Sequence, residues 1–125
     1  MKKIIHTDKA PAAIGPYSQA VETDNTLYIS GQLPMHPDSL EIPETIEEQT
    51  EQVMKNIGAI LKDAGYDYSN VVKSTIYLAD INDFQTVNGI YGSYYPQDPP
   101  ARSAFEVANL PKGAKVEIET IAVKE

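Results

Sequence analysis

Apolar positions along the chain change their spacing several times, and each change marks an element. From Thr45 to Ala64 they recur at helical intervals: Ile46, Val53, Met54, Ile57, Ile60, Leu61 and Ala64, with Thr50 on the same stripe. Glu47, Glu48, Glu51, Lys55 and Lys62 take the other face. Thr45 and Glu48 have capping-box spacing, and Gly65 can adopt the left-handed stop. A helix over 45–64 follows. Two β-prone runs precede it, Tyr17 to Glu22 and Thr26 to Ser30, with Thr23-Asp24-Asn25 between them as a tight turn. Residues 2–6 read as a short first strand, 10–16 as an irregular entry, and 34–44, rich in proline and acidic residues, as a loop.

Val71 to Ala79 is β-branched and aromatic with no fully polar face, which predicts a strand in the middle of a sheet. A second helix is predicted after Asn82, with Gln85 completing a second capping box. Its inner stripe is Phe84, Val87, Asn88, Tyr91 and Tyr94 or Tyr95, and it ends before Pro96. Ala101 to Val107 and Lys115 to Val123 are the last strands, joined by a Leu-Pro-Lys-Gly turn. The order β-β-β-α-β-α-β-β predicts an α+β fold, a mixed sheet with two helices on one face, in a single domain over 1–125. Ile4, Val21, Leu27, Ile29, Ile118 and Val123 offer more apolar surface than two helices hide, so an oligomer covering the open face is expected.

Composition sharpens this picture by exclusion. At 125 residues and 42% hydrophobic, the chain can bury about two thirds of its unfolded surface, enough for an ordinary core. It has no cysteine, which removes disulfides, thiol catalysis and cysteine-ligated zinc. Its two histidines, His6 and His36, do not make a metal cluster; His36 is assigned no role, and no metal is expected. The net charge of -8 opposes non-specific binding to nucleic acid or an anionic membrane. No apolar run suggests a membrane span, and the N-terminal residues do not read as a signal peptide, so a cytoplasmic protein is the expectation.

Nine of the ten basic residues are lysine, and Arg102 is the lone arginine. A guanidinium fork matches a carboxylate bidentately, and Pro99-Pro100 stiffens the chain leading to it. Arg102 is therefore either a clamp for a small anion or one end of an ordinary ion pair, at the surface or between subunits. Glu117 and Glu119 stand two apart on a strand and share a face with Ile121. They form either a solvated strand face or the wall of a partly buried pocket, where a glutamate can orient water or relay a proton. Asn88 on an apolar stripe must find hydrogen bonds in the core or from a ligand. Gly15-Pro16-Tyr17-Ser18 and Ser30-Gly31-Gln32 lie at strand ends, where glycine serves either turn geometry or close approach of an anion to backbone N–H groups. Tyr91, Tyr94 and Tyr95 read as core or interface.

Four separated motifs stand in order: Ala10 through Gln19, Ile29 through Pro34, Asn82 through Asn88, and Pro100 through Pro111 continued by Val116-Glu117-Ile118-Glu119. Together they resemble the RidA (YjgF) family of reactive intermediate, or enamine/imine, deaminases. The resemblance runs over essentially the whole chain. It implies a chorismate-mutase-like fold and a homotrimer with its three sites in clefts between subunits. It implies hydrolysis of 2-imino acids, such as 2-iminopropanoate and 2-iminobutanoate, to 2-keto acids and ammonia without a cofactor. These imines are released by pyridoxal-phosphate dehydratases. By the same resemblance Arg102 is the carboxylate clamp and Glu117 the group that positions water and moves protons. Tyr17 and Asn88 line the pocket, and the Gly31 N–H beside Ser30 faces the ligand. One position departs from the pattern: many members carry cysteine where this chain has Ala104. Hydrolysis then requires that Ala104 contribute only its backbone N–H, and thiol-dependent control is not available. Two other readings compete, a non-catalytic regulatory protein binding small carboxylates in the same cleft and a ribonuclease; a chaperone role is open.

Overall fold

The computed structural model describes residues 1–125. Six strands and two helices alternate in the expected order. They are β1 (Lys3–Ile5), β2 (Ala20–Thr23), β3 (Thr26–Gln32), α1 (Ile46–Asp63), β4 (Val71–Leu78), α2 (Phe84–Ser93), β5 (Ala101–Glu106) and β6 (Val116–Val123). One mixed sheet runs β1-β2-β3-β6-β4-β5, antiparallel throughout except for the parallel β4–β5 pair. Both helices pack on one face. Neither helix is long and apolar enough to cross a membrane.

The local signals act largely as the residues dictate. Asp24 and Asn25 both adopt positive φ, 47° and 62°, the backbone of a type I′ hairpin turn between β2 and β3. At the start of α1 the Thr45 hydroxyl accepts from Glu48 N at 3.1 Å. The reciprocal half of the capping box differs, because the same hydroxyl donates to Glu48 Oε1 at 3.0 Å. Gly65, at φ 85°, closes a Schellman motif in which Tyr66 N donates to Leu61 O and Gly65 N to Lys62 O.

Three expectations need correction. Tyr17 to Gln19 lie outside β2, because Gly15, at φ 123°, folds that segment into a turn closed by Tyr17 N to Gly15 O. The start of α2 is not an Asn82–Gln85 capping box. A 3-10 turn over Ile81–Asp83 precedes it, and Asp80 caps that turn by accepting from Asn82 N. The last two strands are joined through Leu110-Pro111-Lys112-Gly113 as expected, and in the sheet β4 lies between them with β5 at the edge. Finally, Leu27, Ile29 and Ile118 are buried beneath the helices, not on the open face.

The open face still carries apolar area. Register places Ile4, Val21, Tyr28 and Ile121 in one row across four strands, with Ile4 and Tyr28 about half exposed. Further along the same face, level with Glu117, Tyr77 and Phe105 stack edge-on, their ring centroids 5.5 Å apart. The helix face holds the core, built from Val53, Ile57, Ile60, Leu61, Ile76, Leu78, Val116 and Ile118.

Candidate functional site

Strand parity divides the candidate residues into two groups. On β5, Arg102 pairs with Ser74 and Ala104 with Ile76, so both point to the helix face. On β6, Glu117 pairs with Tyr77 and points to the open face. A single chain thus sets Arg102 and Glu117 on opposite faces of its sheet.

The first group is built around the guanidinium. Its carbon lies 5.4 Å from the Phe84 ring centre and 5.5 Å from that of Tyr91, both on α2. Arg102 also donates from Nη1 to Asn88 Oδ1. Asn88 thereby uses its acceptor on the clamp, which explains an amide on the apolar stripe. The lysine–carboxylate ion pair of the chain is Lys124–Glu22, and the His6 ring contacts Asp8 at 3.3 Å. Arg102 has no carboxylate partner within the chain and is exposed, so the intrachain surface-pair explanation fails. Ala104 lies next to it along the strand, half-buried, and lines a cavity of about 450 Å³ with Phe84 and Gln85.

The second group lines a cavity of about 590 Å³ that includes Tyr17, Ser30, Gly31, Leu33, Met35 and Glu117. The pairing of β3 with β6 slips between Ile29 and Gln32, which re-aims Ser30 and Gly31 toward this cavity. Ser30 is committed to structure: its hydroxyl donates to Ser18 O at 2.6 Å and holds the Tyr17 segment against β3. Gln19 fastens the entry segment by donating to the carbonyls of Thr7, Ala10 and Pro11. Glycine at position 31 leaves room for the Glu117 carboxylate, which a Cβ there would force aside. Gly31→Ala is therefore expected to push Glu117 aside and lower kcat by about 10–100-fold with the fold retained, checked by turnover together with circular dichroism.

Burial raises the pKa of Glu117, and the neighbouring Glu119 carboxylate raises it further. Glu119 accepts a hydrogen bond from Tyr77 Oη at 2.6 Å. That bond, helped by burial, pushes the Tyr77 phenol up to about 12, so it stays a neutral donor. A half-buried carboxylate that holds its proton longer than usual suits a group that must take a proton and return it. No three His, Asp or Glu side chains converge closely enough to hold a metal ion.

The structure therefore brings Tyr17, Ser30, Gly31 and Glu117 together, and separately Asn88, Arg102 and Ala104. Sequence reasoning missed Met35 and Lys112 in the Glu117 cavity, as well as the buried amides of α1 that hold its wall. The signal for the amides was present, since Gln49, Gln52 and Asn56 lie at helical spacing along the apolar stripe.

The family model described as endoribonuclease L-PSP matches residues 7–124. The chain belongs to this family, the RidA (YjgF) family. Among its relatives, a bovine protein named 2-iminobutanoate/2-iminopropanoate deaminase is 59% identical over 99% of this chain and 91% of its own length. The crystal structure of RidA from an Antarctic Psychrobacter is 48% identical, with a TM-score of 0.95 over 98% of this chain and 99% of its own. The structure of Escherichia coli TdcF with bound serine is 40% identical, with a TM-score of 0.95 over the same shares. The family fold is thus the fold described above.

Proposed function

We propose that this chain hydrolyses 2-imino acids and their enamine tautomers, 2-iminobutanoate and 2-iminopropanoate among them, to 2-keto acids and ammonia. We further propose that it works as a homotrimer whose sites each join Arg102 of one subunit to Glu117 of the next. The observation that carries the reading is the lone arginine, braced by two rings and an amide yet left without a carboxylate of its own. The separation of the two half-sites on opposite sheet faces supports assembly between copies, and the uncovered apolar row supplies a surface for it. The names of the relatives point to the same chemistry, and a small molecule with an α-carboxylate, serine, is bound in one of them.

The residues perform the reaction as follows. Arg102 takes the substrate carboxylate in its guanidinium fork, which holds C2 of the imine in place against water. Tyr17 and the Gly31 backbone confine the other side. Glu117 accepts a proton from water as its oxygen bonds to C2 of the N-protonated imine, giving a neutral carbinolamine. The same carboxyl returns the proton to nitrogen, the C–N bond breaks, ammonia leaves, and the hydroxyl proton passes to the departing ammonia as the keto group forms. The raised pKa of Glu117 makes the return step easier than for a solvated glutamate. Asn88 holds the guanidinium from behind.

Ribonuclease activity, which the family's description names, is opposed here by the net charge of -8 and the single arginine. A cytoplasmic location remains part of the proposal and is checked by cell fractionation. The test of function is a coupled assay in which a dehydratase generates the imine in place and semicarbazide traps what survives. The chain is expected to suppress semicarbazone and speed keto-acid release. A folded chain that changes neither would favour the non-catalytic carboxylate binder.

A further inference from the structure

The buried face of α1 carries three amides where hydrocarbon would pack more cheaply. Gln49, Gln52 and Asn56 are all buried, Asn56 to 1% exposure, and each is tolerated only if its polar atoms are satisfied. Asn56 Nδ2 donates to two backbone carbonyls, Leu33 O at 3.1 Å and Met35 O at 2.9 Å, on either side of Pro34. Gln52 Nε2 donates to Asn56 Oδ1 at 2.9 Å, which fixes the amide's orientation and leaves both Nδ2 hydrogens for the carbonyls. Gln49 extends the ladder: its Nε2 donates to Pro43 O at 2.9 Å, and its Oε1 accepts from Lys115 N at 2.8 Å.

These bonds lead to the cavity. Leu33 and Met35 line it with Glu117, and Lys115 begins the run into the strand that carries Glu117. The chain from Leu33 to Glu44 has no regular secondary structure, and its internal backbone bonds are His36 N to Glu41 O and Leu40 N to His36 O. Neither bond restrains Leu33 or Met35. The grip on the apolar wall therefore comes from α1.

We propose that Asn56, oriented by Gln52, is a positioning residue that sets the Leu33–Met35 wall and so selects the side-chain length of the 2-imino acid. This rests on reading the Glu117 cavity as the substrate site. A purely structural role for the amides would lower stability without changing selectivity, and the two roles separate experimentally.

The variants are Asn56→Asp, which keeps the bond from Gln52 but turns an anionic oxygen on the two carbonyls, and Gln52→Leu, which removes the orienting donor. Ile57→Val, in the core one residue along the same helix, is the control for lost stability. Calorimetric titration of the folded proteins with 2-oxobutanoate and 4-methyl-2-oxopentanoate gives the affinity ratio without requiring turnover, and imine hydrolysis is measured alongside. A pocket wall can discriminate about 10–200-fold per methylene, so the ratio is expected to move about fivefold or more toward unity in Gln52→Leu and in Asn56→Asp if that variant folds. Ile57→Val is expected to keep the wild-type ratio at a lower Tm. A wild-type protein that does not discriminate, or a folded Gln52→Leu that keeps the wild-type ratio, would overturn the assignment. The expected ratios in a chain that hydrolyses neither imine would support the wall assignment and overturn the deaminase reading.

Discussion

Arg102→Ala is expected to lower kcat/KM for 2-iminobutanoate by at least about 100-fold, because two charge-assisted hydrogen bonds of about 1.5–3 kcal/mol each are lost together. The fold should survive. Arg102 is exposed on the edge strand, and its contacts within the chain are with Phe84, Tyr91 and Asn88. Arg102→Lys is the sharper variant. It keeps the charge but not the planar fork, so the carboxylate is attracted without being aligned. KM should recover in part while kcat stays low, and steady-state kinetics with circular dichroism read both effects. Equal turnover in the wild type and Arg102→Ala would remove the clamp.

Glu117→Gln has an expected effect at least as large. It keeps shape and burial but cannot carry the proton, so kcat should fall by about 10²–10⁴-fold with little change in KM. Stability should move the other way. The folded-state pKa of Glu117 is raised by burial and by Glu119, so the folded chain resists ionising it more than the unfolded chain does. Its contribution to stability is undiminished below the ordinary glutamate pKa. It is lost as pH rises toward the raised folded value. At pH 7 the glutamine variant should thus melt no lower than the wild type and at a higher temperature if the cavity stays unstrained. In the wild type the acid limb of kcat/KM should lie above the ordinary carboxylate range, and Glu119→Gln should draw it down.

Much of this was legible in the residues. The alternation along Val116 to Val123 put Glu117 and Glu119 on one face, and the structure keeps that face uncovered. The stripe along 45–64, its Thr45 cap and its Gly65 stop define α1 almost to the residue. Other features depend on pairing between distant strands, which a linear pattern does not encode. Leu27 and Ile118 alternate correctly, but only the position of the helices tells which parity is buried. The insertion of β4 between β5 and β6 follows from the parallel β4–β5 crossover through α2, and pairing with opposite parities of β4 sends Arg102 and Glu117 to opposite faces. The role of Gly31 becomes visible only when the slipped β3–β6 register sets it against Glu117. The α1 amides looked like ordinary helix polarity until Leu33, Met35 and Lys115 folded back onto them.

The central claim is that a working site takes Arg102 from one copy and Glu117 from another. Subunit complementation tests it most directly. Arg102→Ala and Glu117→Gln proteins, each inactive alone, are mixed in equal amounts, allowed to exchange subunits and assayed together. In any closed ring with one such site per interface, random exchange restores about one quarter of the wild-type sites, so about one quarter of the activity should return. Persistent inactivity after exchange has been verified by mass spectrometry of the mixed assemblies would contradict the account and return the site to a single chain.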